Sequence, residues 1–183
     1  MIRSKIAPVL SALLCSSPAL AVTQWDVKPA PNTISWTVSS DESIAGHCSS
    51  FKSDIAFDPE ALAQSSVKIV VDMASCRTGV ADKDKLLPAA EWFDETKFST
   101  ADFSATEFRA LGGNRYAADG TLTLKGVSKP LTLDFTLDIS GADAHAVGTA
   151  KIERMSFGVG GSTPGSYVGL DVDVKIDLKA TRK

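Results

Sequence analysis

Residues 168–179 read VGLDVDVKIDLK, a stretch in which apolar side chains occupy every second position. The apolar members are Val168, Leu170, Val172, Val174, Ile176 and Leu178. Because successive side chains of a β-strand point to opposite faces, this alternation predicts a strand with one face on an apolar interior and the other in water. Strict alternation also favours antiparallel pairing.

The same period of two recurs along most of the chain. It is found in residues 34–38, 55–57, 67–73, 122–124 and 131–139. Glycine, proline and aspartate separate these segments, as expected for turns. The pattern predicts an all-β fold of about eight antiparallel strands closed into a barrel, with short helices at 59–64 and 82–91 at most. A barrel of about eight strands can hold one elongated ligand.

One predicted strand carries unusually small side chains on one face. Ala146, Gly148 and Ala150 share this face with Ile152. Two interpretations follow from the residues alone: the missing volume is a cavity, or a large side chain opposite, such as Trp92 or Phe93, fills it.

The N-terminus has the layout of a secretory signal peptide. Arg3 and Lys5 precede a short apolar stretch, and residues 19–21 read ALA, a typical cleavage site. We expect residues 1–21 to be removed, leaving a domain of residues 22–183 that begins at Val22 in the periplasm. The alternatives are a lipoprotein anchored through Cys15 and an N-terminal helix that is not cleaved.

Two cysteines remain after this cleavage, Cys48 and Cys76. An even number of cysteines in an oxidising compartment favours a disulfide. Two free thiols are the alternative. A metal site that uses the neighbouring His47 lacks further ligands in the sequence, so no metal is predicted.

Composition points away from catalysis and from nucleic acid. The 183 residues are 44% hydrophobic and 22% charged, with a net charge of −3 and only two histidines, His47 and His145. A mildly acidic domain has no electrostatic footprint for nucleic acid. The segment GGSTPG at 160–165 lacks the second glycine of a nucleophile elbow. We predict a protein that is not an enzyme and has no cofactor.

Several segments together resemble one known family. They are GTLTLKGVSKP at 120–130, RMSFGVG at 154–160, the residues Ser75, Thr78 and Gly79, KDKL at 83–86, and WFD at 92–94 followed by Phe98 and Phe103. In order and spacing they are similar to the YceI-like family of exported lipid-binding proteins. Lys83 and Lys85 depart from the arginine and histidine that the family usually has there. Cys48 and Cys76 are not part of its general pattern.

This resemblance implies a lipocalin-like barrel around a long apolar tunnel that binds a polyisoprenoid or another long-chain amphiphile. We therefore expect non-catalytic binding, sequestration or transport of a polyprenyl or quinone-type lipid. Transient contact with a membrane or a membrane protein is also expected. The alternative is a structural or stress-response partner protein with a solid core. The side chains predicted to line the tunnel are Trp36, Trp92, Phe93, Phe103, Leu122, Leu124, Leu133, Phe135, Phe157, Val172 and Val174.

Overall fold

The computed structural model describes residues 22–28, 32–39 and 43–183; the predicted signal peptide lies outside the described residues. The strands in these ranges are β1 (Gln24–Val27), β2 (Thr33–Val38), β3 (Ile44–Cys48), β4 (Phe51–Ala56), β5 (Ser66–Asp72), β6 (Cys76–Arg77), β7 (Thr100–Gly112), β8 (Arg115–Leu124), β9 (Val127–Ser140), β10 (Asp143–Glu153) and β11 (Asp171–Arg182). All pairings between them are antiparallel.

The sheet closes on itself as an eight-stranded barrel. Its order is β1-β4-β5-β7-β8-β9-β10-β11, and β11 pairs back with β1. At the other end of β11 the sheet continues through β2, β3 and β6. The predicted closed antiparallel barrel is therefore confirmed.

Three of the long barrel strands are interrupted. β1 and β2 pair with opposite ends of β11, and they also pair with β4 and β3 respectively. β3 and β4 in turn pair with β6 and β5. Each of the pairs β1–β2, β3–β4 and β5–β6 thus forms one long strand with a break. At the β2–β3–β6 end, β6 is the edge strand of the sheet in the described ranges.

The hairpin at 120–130 forms around a two-residue turn. Lys125 and Gly126 both have positive φ, 50° and 76°, as a type I′ turn requires. A Cβ at Gly126 would lie 2.5 Å from the ring of Phe98, so the glycine also allows this ring to pack over the turn.

The strand of small side chains, β10, pairs with β11 over its whole length. A Cβ at Gly148 would lie 3.0 Å from Ile176 and 3.1 Å from the Cβ of Phe135. The volume at this glycine is therefore filled, but by Ile176 and Phe135 rather than by Trp92 or Phe93.

Helical structure is shorter than the sequence predicts. The segment 82–91 contains one turn of α-helix, α1 (Ala81–Asp84), followed by turns; Leu62–Gln64 is a 3-10 turn. Pro88 cannot continue a helix, and the buried Leu87 is held instead by tertiary packing. None of the helices in the described ranges has the length and hydrophobicity that a bilayer crossing requires.

Candidate functional site

Two apolar cavities lie inside the barrel. The large cavity, of about 530 Å³, lies at the end where β2, β3 and β6 extend the sheet. The small cavity, of about 80 Å³, lies near β1 and the C-terminal half of β11. No residue lines both cavities. A buried cluster that includes Ile34, Leu133 and Ile176 borders both, and it separates them.

Four aromatic rings fill the barrel on the side of the small cavity. Phe57 makes edge-on contacts with Phe108, Tyr116 and Phe135, with ring centroids 5.3 to 5.6 Å apart. Tyr116 and Phe135 stack at 5.5 Å. These are the separations that aromatic pairs prefer. We call this set the aromatic cluster; three of its members, Phe57, Phe108 and Phe135, line the small cavity.

Strands supply the inner wall of the large cavity. Its members alternate along each strand, as the period of two requires: Trp36 and Val38 on β2, Leu122 and Leu124 on β8, Ile152 on β10, and Val172 and Val174 on β11. Cys48 and Cys76 also line it, and they form the predicted disulfide between β3 and β6.

Two segments outside the strands cover the mouth of the large cavity. Residues 78–94 contribute Leu87, Trp92 and Phe93, and residues 154–169 contribute Val159 and Val168. Leu86 and Tyr167 line the cavity and are also 54% and 74% exposed. The opening to solvent therefore lies between these two segments.

Arg154 organises the second covering segment. Only 2% of Arg154 is exposed. All five of its N–H groups donate to backbone carbonyls: Nε to Gly169 (2.9 Å), Nη1 to Val159 (2.8 Å) and Gly160 (2.6 Å), and Nη2 to Thr163 (2.7 Å) and Val168 (2.8 Å). Its guanidinium also lies 5.9 Å from the ring centroid of Trp92. One side chain thus holds the loop in shape and borders the cavity.

Asp84 holds the first covering segment. Its carboxylate accepts hydrogen bonds from the backbone N and the Oγ1 of Thr78, both at 2.6 Å, and from the backbone N of Gly79. The hydrogen bond from the Thr78 hydroxyl is the main cause that lowers the pKa of Asp84. This arrangement fixes the turn that places Lys83 at the cavity. Lys85 instead pairs with Asp82, and it does not line the cavity.

Glu91 joins the two covering segments. Its carboxylate accepts hydrogen bonds from the Oγ (2.8 Å) and backbone N (2.7 Å) of Ser162, which lower its pKa. Its carbonyl accepts from Gly160 N and from Lys125 Nζ, and Lys125 Nζ also donates to the Gly158 carbonyl. The cover and the 120–130 hairpin are therefore one hydrogen-bonded unit.

The model of the YceI-like domain matches residues 25–180 of this sequence. This chain belongs to the YceI-like family. A UPF0312 protein of Vibrio vulnificus (strain YJ016) is 30% identical over 185 residues, covering 96% of this chain and 98% of the relative. A UPF0312 protein of Vibrio parahaemolyticus is 31% identical over 158 residues, covering 82% and 84%.

Solved structures have the same fold as this YceI-like chain. Burkholderia cenocepacia BcnA is similar with a TM-score of 0.80 and 30% identity, covering 85% of this chain and 100% of that one. A polyisoprenoid binding domain from Saccharophagus degradans has a TM-score of 0.69 at 13% identity, covering 90% and 100%. At that identity the second likeness concerns the fold alone.

The predicted lining residues fall into three groups in this YceI-like barrel. Seven line the large cavity: Trp36, Trp92, Phe93, Leu122, Leu124, Val172 and Val174. Leu133 and Phe135 line the small cavity, and Phe103 and Phe157 line neither because they pack into the surrounding buried clusters. The expected tunnel along the whole barrel is thus replaced by two separate spaces. Whether these side chains contact a ligand stays a prediction.

Several residues at the cavity are not among the side chains predicted to line it. Met73, Leu87 and Val159 line it from turns, where no period marks the inward face. Lys83 and Arg154 line it as well. Arg154 is the first residue of the RMSFGVG motif. Its charge within an otherwise uncharged motif was the feature of the sequence that could have indicated a special role.

Proposed function

We propose that this protein binds a long-chain isoprenoid lipid of the polyprenyl or quinone type in the large cavity, and sequesters or carries it in the periplasm. The observation that carries this proposal is a cavity of about 530 Å³ with an almost entirely apolar wall and an opening at one end. Membership of the YceI-like family supports it, as does the shared fold with a domain described as polyisoprenoid binding. Binding requires no covalent step, so we assign no catalytic residue.

The size of the cavity is sufficient for useful affinity. Each buried methylene contributes about 0.8 kcal/mol. Ten buried carbons therefore give roughly 8 kcal/mol, corresponding to about a micromolar dissociation constant before the cost of ordering the chain. At about 30 Å³ per carbon, close to the volume of one water molecule, the large cavity holds roughly 18 carbons.

Exposed apolar side chains at the opening support transient contact with a membrane or a membrane protein. Leu86 and Tyr167 line the large cavity and are exposed, and Val80, Met155 and Leu170 are exposed in or next to the two covering segments. Solvent-exposed apolar groups clustered around a lipid-binding opening are suited to brief insertion at an interface.

Solvent extraction of the purified protein followed by mass spectrometry tests the binding function. A stoichiometric long-chain lipid in the extract is the expected result. A clean extract from cells grown under several conditions would support the alternative, a structural or stress-response protein without a lipid.

Intact-mass measurement of the exported protein tests the proposed location. A mature chain that starts at Val22 is expected from the ALA cleavage site. A diacylated Cys15 species would instead place the protein on a membrane.

A further inference from the structure

We infer that residues 155–170, which we call the insertion loop, dock on the surface of a lipid bilayer and hold the opening of the large cavity against it. This inference rests on the proposed lipid binding, because it names the surface from which a lipid would enter. The loop contains most of the second covering segment, so a surface that touches the loop lies next to the opening.

The insertion loop carries no charge. Its sixteen residues, MSFGVGGSTPGSYVGL, include no Asp, Glu, Lys, Arg or His, and they form the longest uncharged run within residues 22–183. The large apolar side chains that it exposes are Met155 (40%), Tyr167 (74%) and Leu170 (41%). Burial of such apolar area drives binding at a bilayer interface. Tyrosine is especially suited to this place, because its ring is buried while its hydroxyl remains in water.

The polar groups of the insertion loop are turned inward. Arg154 donates all five of its N–H groups to carbonyls of the loop. Six backbone N–H groups of the loop donate to backbone carbonyls, and that of Ser162 donates to the carboxylate of Glu91. A bilayer offers no partners to replace water, so irregular backbone enters it only where protein groups satisfy the polar atoms. The insertion loop meets this requirement to an extent that ordinary surface loops do not.

The other side of the opening has the opposite character. Residues 78–94 contain two lysines and four carboxylates, those of Asp82, Asp84, Glu91 and Asp94. The side chain of Asp82 is 92% exposed. Carboxylates are costly to dehydrate, and anionic lipids repel them. The two covering segments therefore define one orientation, in which the insertion loop enters the interface and residues 78–94 remain in water.

A bilayer fits the insertion loop better than a protein partner does. Protein interfaces use direct hydrogen bonds between the two surfaces, about ten in a typical case. Most backbone groups of the loop are already used within this chain, so the loop has few to offer a partner. Its uncharged outer face instead complements the uncharged interior of a bilayer.

Flotation of the full mature protein with lipid vesicles tests the docking. One set of vesicles is pure phosphatidylcholine, and the other is an equal mixture of phosphatidylcholine and phosphatidylglycerol. Because the loop is uncharged and residues 78–94 are acidic, we expect binding to the neutral vesicles to be at least as strong as binding to the anionic ones. The partition coefficient should change by less than about twofold between low and high salt.

Leu170→Ser and Leu111→Ser form a matched pair of variants. The two leucines are 41% and 39% exposed, but Leu111 lies beside the β7–β8 turn and does not line the large cavity. Leu170→Ser should lower the partition coefficient about fivefold, and Tyr167→Ser about tenfold, as expected from the apolar area removed from the interface. Leu111→Ser should bind vesicles as the natural protein does. Circular dichroism establishes that each variant is folded.

The outcomes separate docking from lipid binding. The affinity of the natural protein for farnesol is measured without vesicles, and a protein that floats but does not bind farnesol would contradict the proposed lipid binding alone. A protein that binds farnesol but does not float would overturn the docking inference alone and favour a protein partner.

Three further results would also overturn the inference. Flotation that requires phosphatidylglycerol and is lost at high salt would indicate electrostatic adsorption. Equal effects of Leu170→Ser and Leu111→Ser would place the contact elsewhere on the surface. A dimer in analytical ultracentrifugation that Leu170→Ser dissociates would assign the insertion loop to a second copy of the chain.

Discussion

Replacement of Arg154 by lysine should destabilise the cover of the large cavity while the positive charge is retained. The guanidinium donates to five carbonyls, and an ammonium has three N–H donors. At least two buried carbonyls therefore lose their partners. At about 1–3 kcal/mol for each unsatisfied buried group, the loss in free energy of unfolding should be about 3 kcal/mol. For a domain of this size that corresponds to a fall in Tm of roughly 6–12 °C.

Thermal unfolding followed by circular dichroism measures this loss, and hydrogen exchange measures where it occurs. Exchange should accelerate in residues 158–170, whose carbonyls Arg154 holds, before it accelerates in the barrel strands. Arg182→Lys is the matched control, because Arg182 also lies over an aromatic ring, Trp25 at 5.6 Å, but is exposed. That variant should change stability by less than about 0.5 kcal/mol. An Arg154→Lys protein as stable as the control would refute the role given to the five hydrogen bonds.

Four further outcomes are expected. Reduction of the disulfide should lower the free energy of unfolding by about 3–4 kcal/mol, as the chain-entropy model gives for a loop of this length. Denaturant titration with and without reductant measures this loss, and equal unfolding midpoints would contradict it. Phe135→Asp should fail to fold, because its carboxylate would face Phe57 and Tyr116 without a polar partner, whereas Phe135→Leu should fold normally by circular dichroism. A folded Asp variant would mean that water reaches the aromatic cluster. Affinity for linear isoprenoid alcohols should stop rising at roughly 18 carbons, the number that fits in the large cavity. Phe103→Ala should move this limit to longer chains, because Phe103 packs against the buried cluster that separates the two cavities. A steady rise to long chains in the natural protein would contradict the two-cavity interior. The hydrogen bond from Arg109 lowers the pKa of Asp119 from 3.8 to about 2. The contribution of this carboxylate to stability should therefore be complete above about pH 4 and lost as the pH falls towards about 2. Asp119→Asn should flatten the dependence of the free energy of unfolding on pH in that range, and an unchanged dependence would argue against the Arg109–Asp119 pair.

The barrel could be predicted from the sequence because period-two alternation has a direct structural meaning. In the quoted stretch, Val172, Val174, Ile176 and Leu178 all face the interior, as their positions require. Only the beginning of the strand differed: β11 starts at Asp171, and Val168 belongs to the covering loop. The carbonyl of Val168 accepts a hydrogen bond from Arg154, a long-range contact that the alternation of apolar residues does not predict.

The division of the interior could not be predicted in this way. The alternation of side chains along each strand predicts that Leu122 and Phe135 both face inward. It does not predict at which level along the barrel axis a ring contacts other rings. Phe108 and Tyr116 lie on β7 and β8, and Phe57 follows the end of β4. Their contacts with Phe135 depend on the tilt and register of the whole barrel. Lys83 could be named from the resemblance to the family, but its position at the cavity could not be predicted, because it lies on a single helical turn that has no detectable period.

The separation of the two cavities has a consequence for the path of a bound lipid. Because a buried cluster that includes Ile34, Leu133 and Ile176 lies between the cavities, a chain in the large cavity must leave through the opening by which it entered, beside Leu86 and Tyr167. A donor and an acceptor would therefore have to bind in turn at the same face of the barrel. The tail would enter first and leave last, and a chain too long for the cavity would extend outside it.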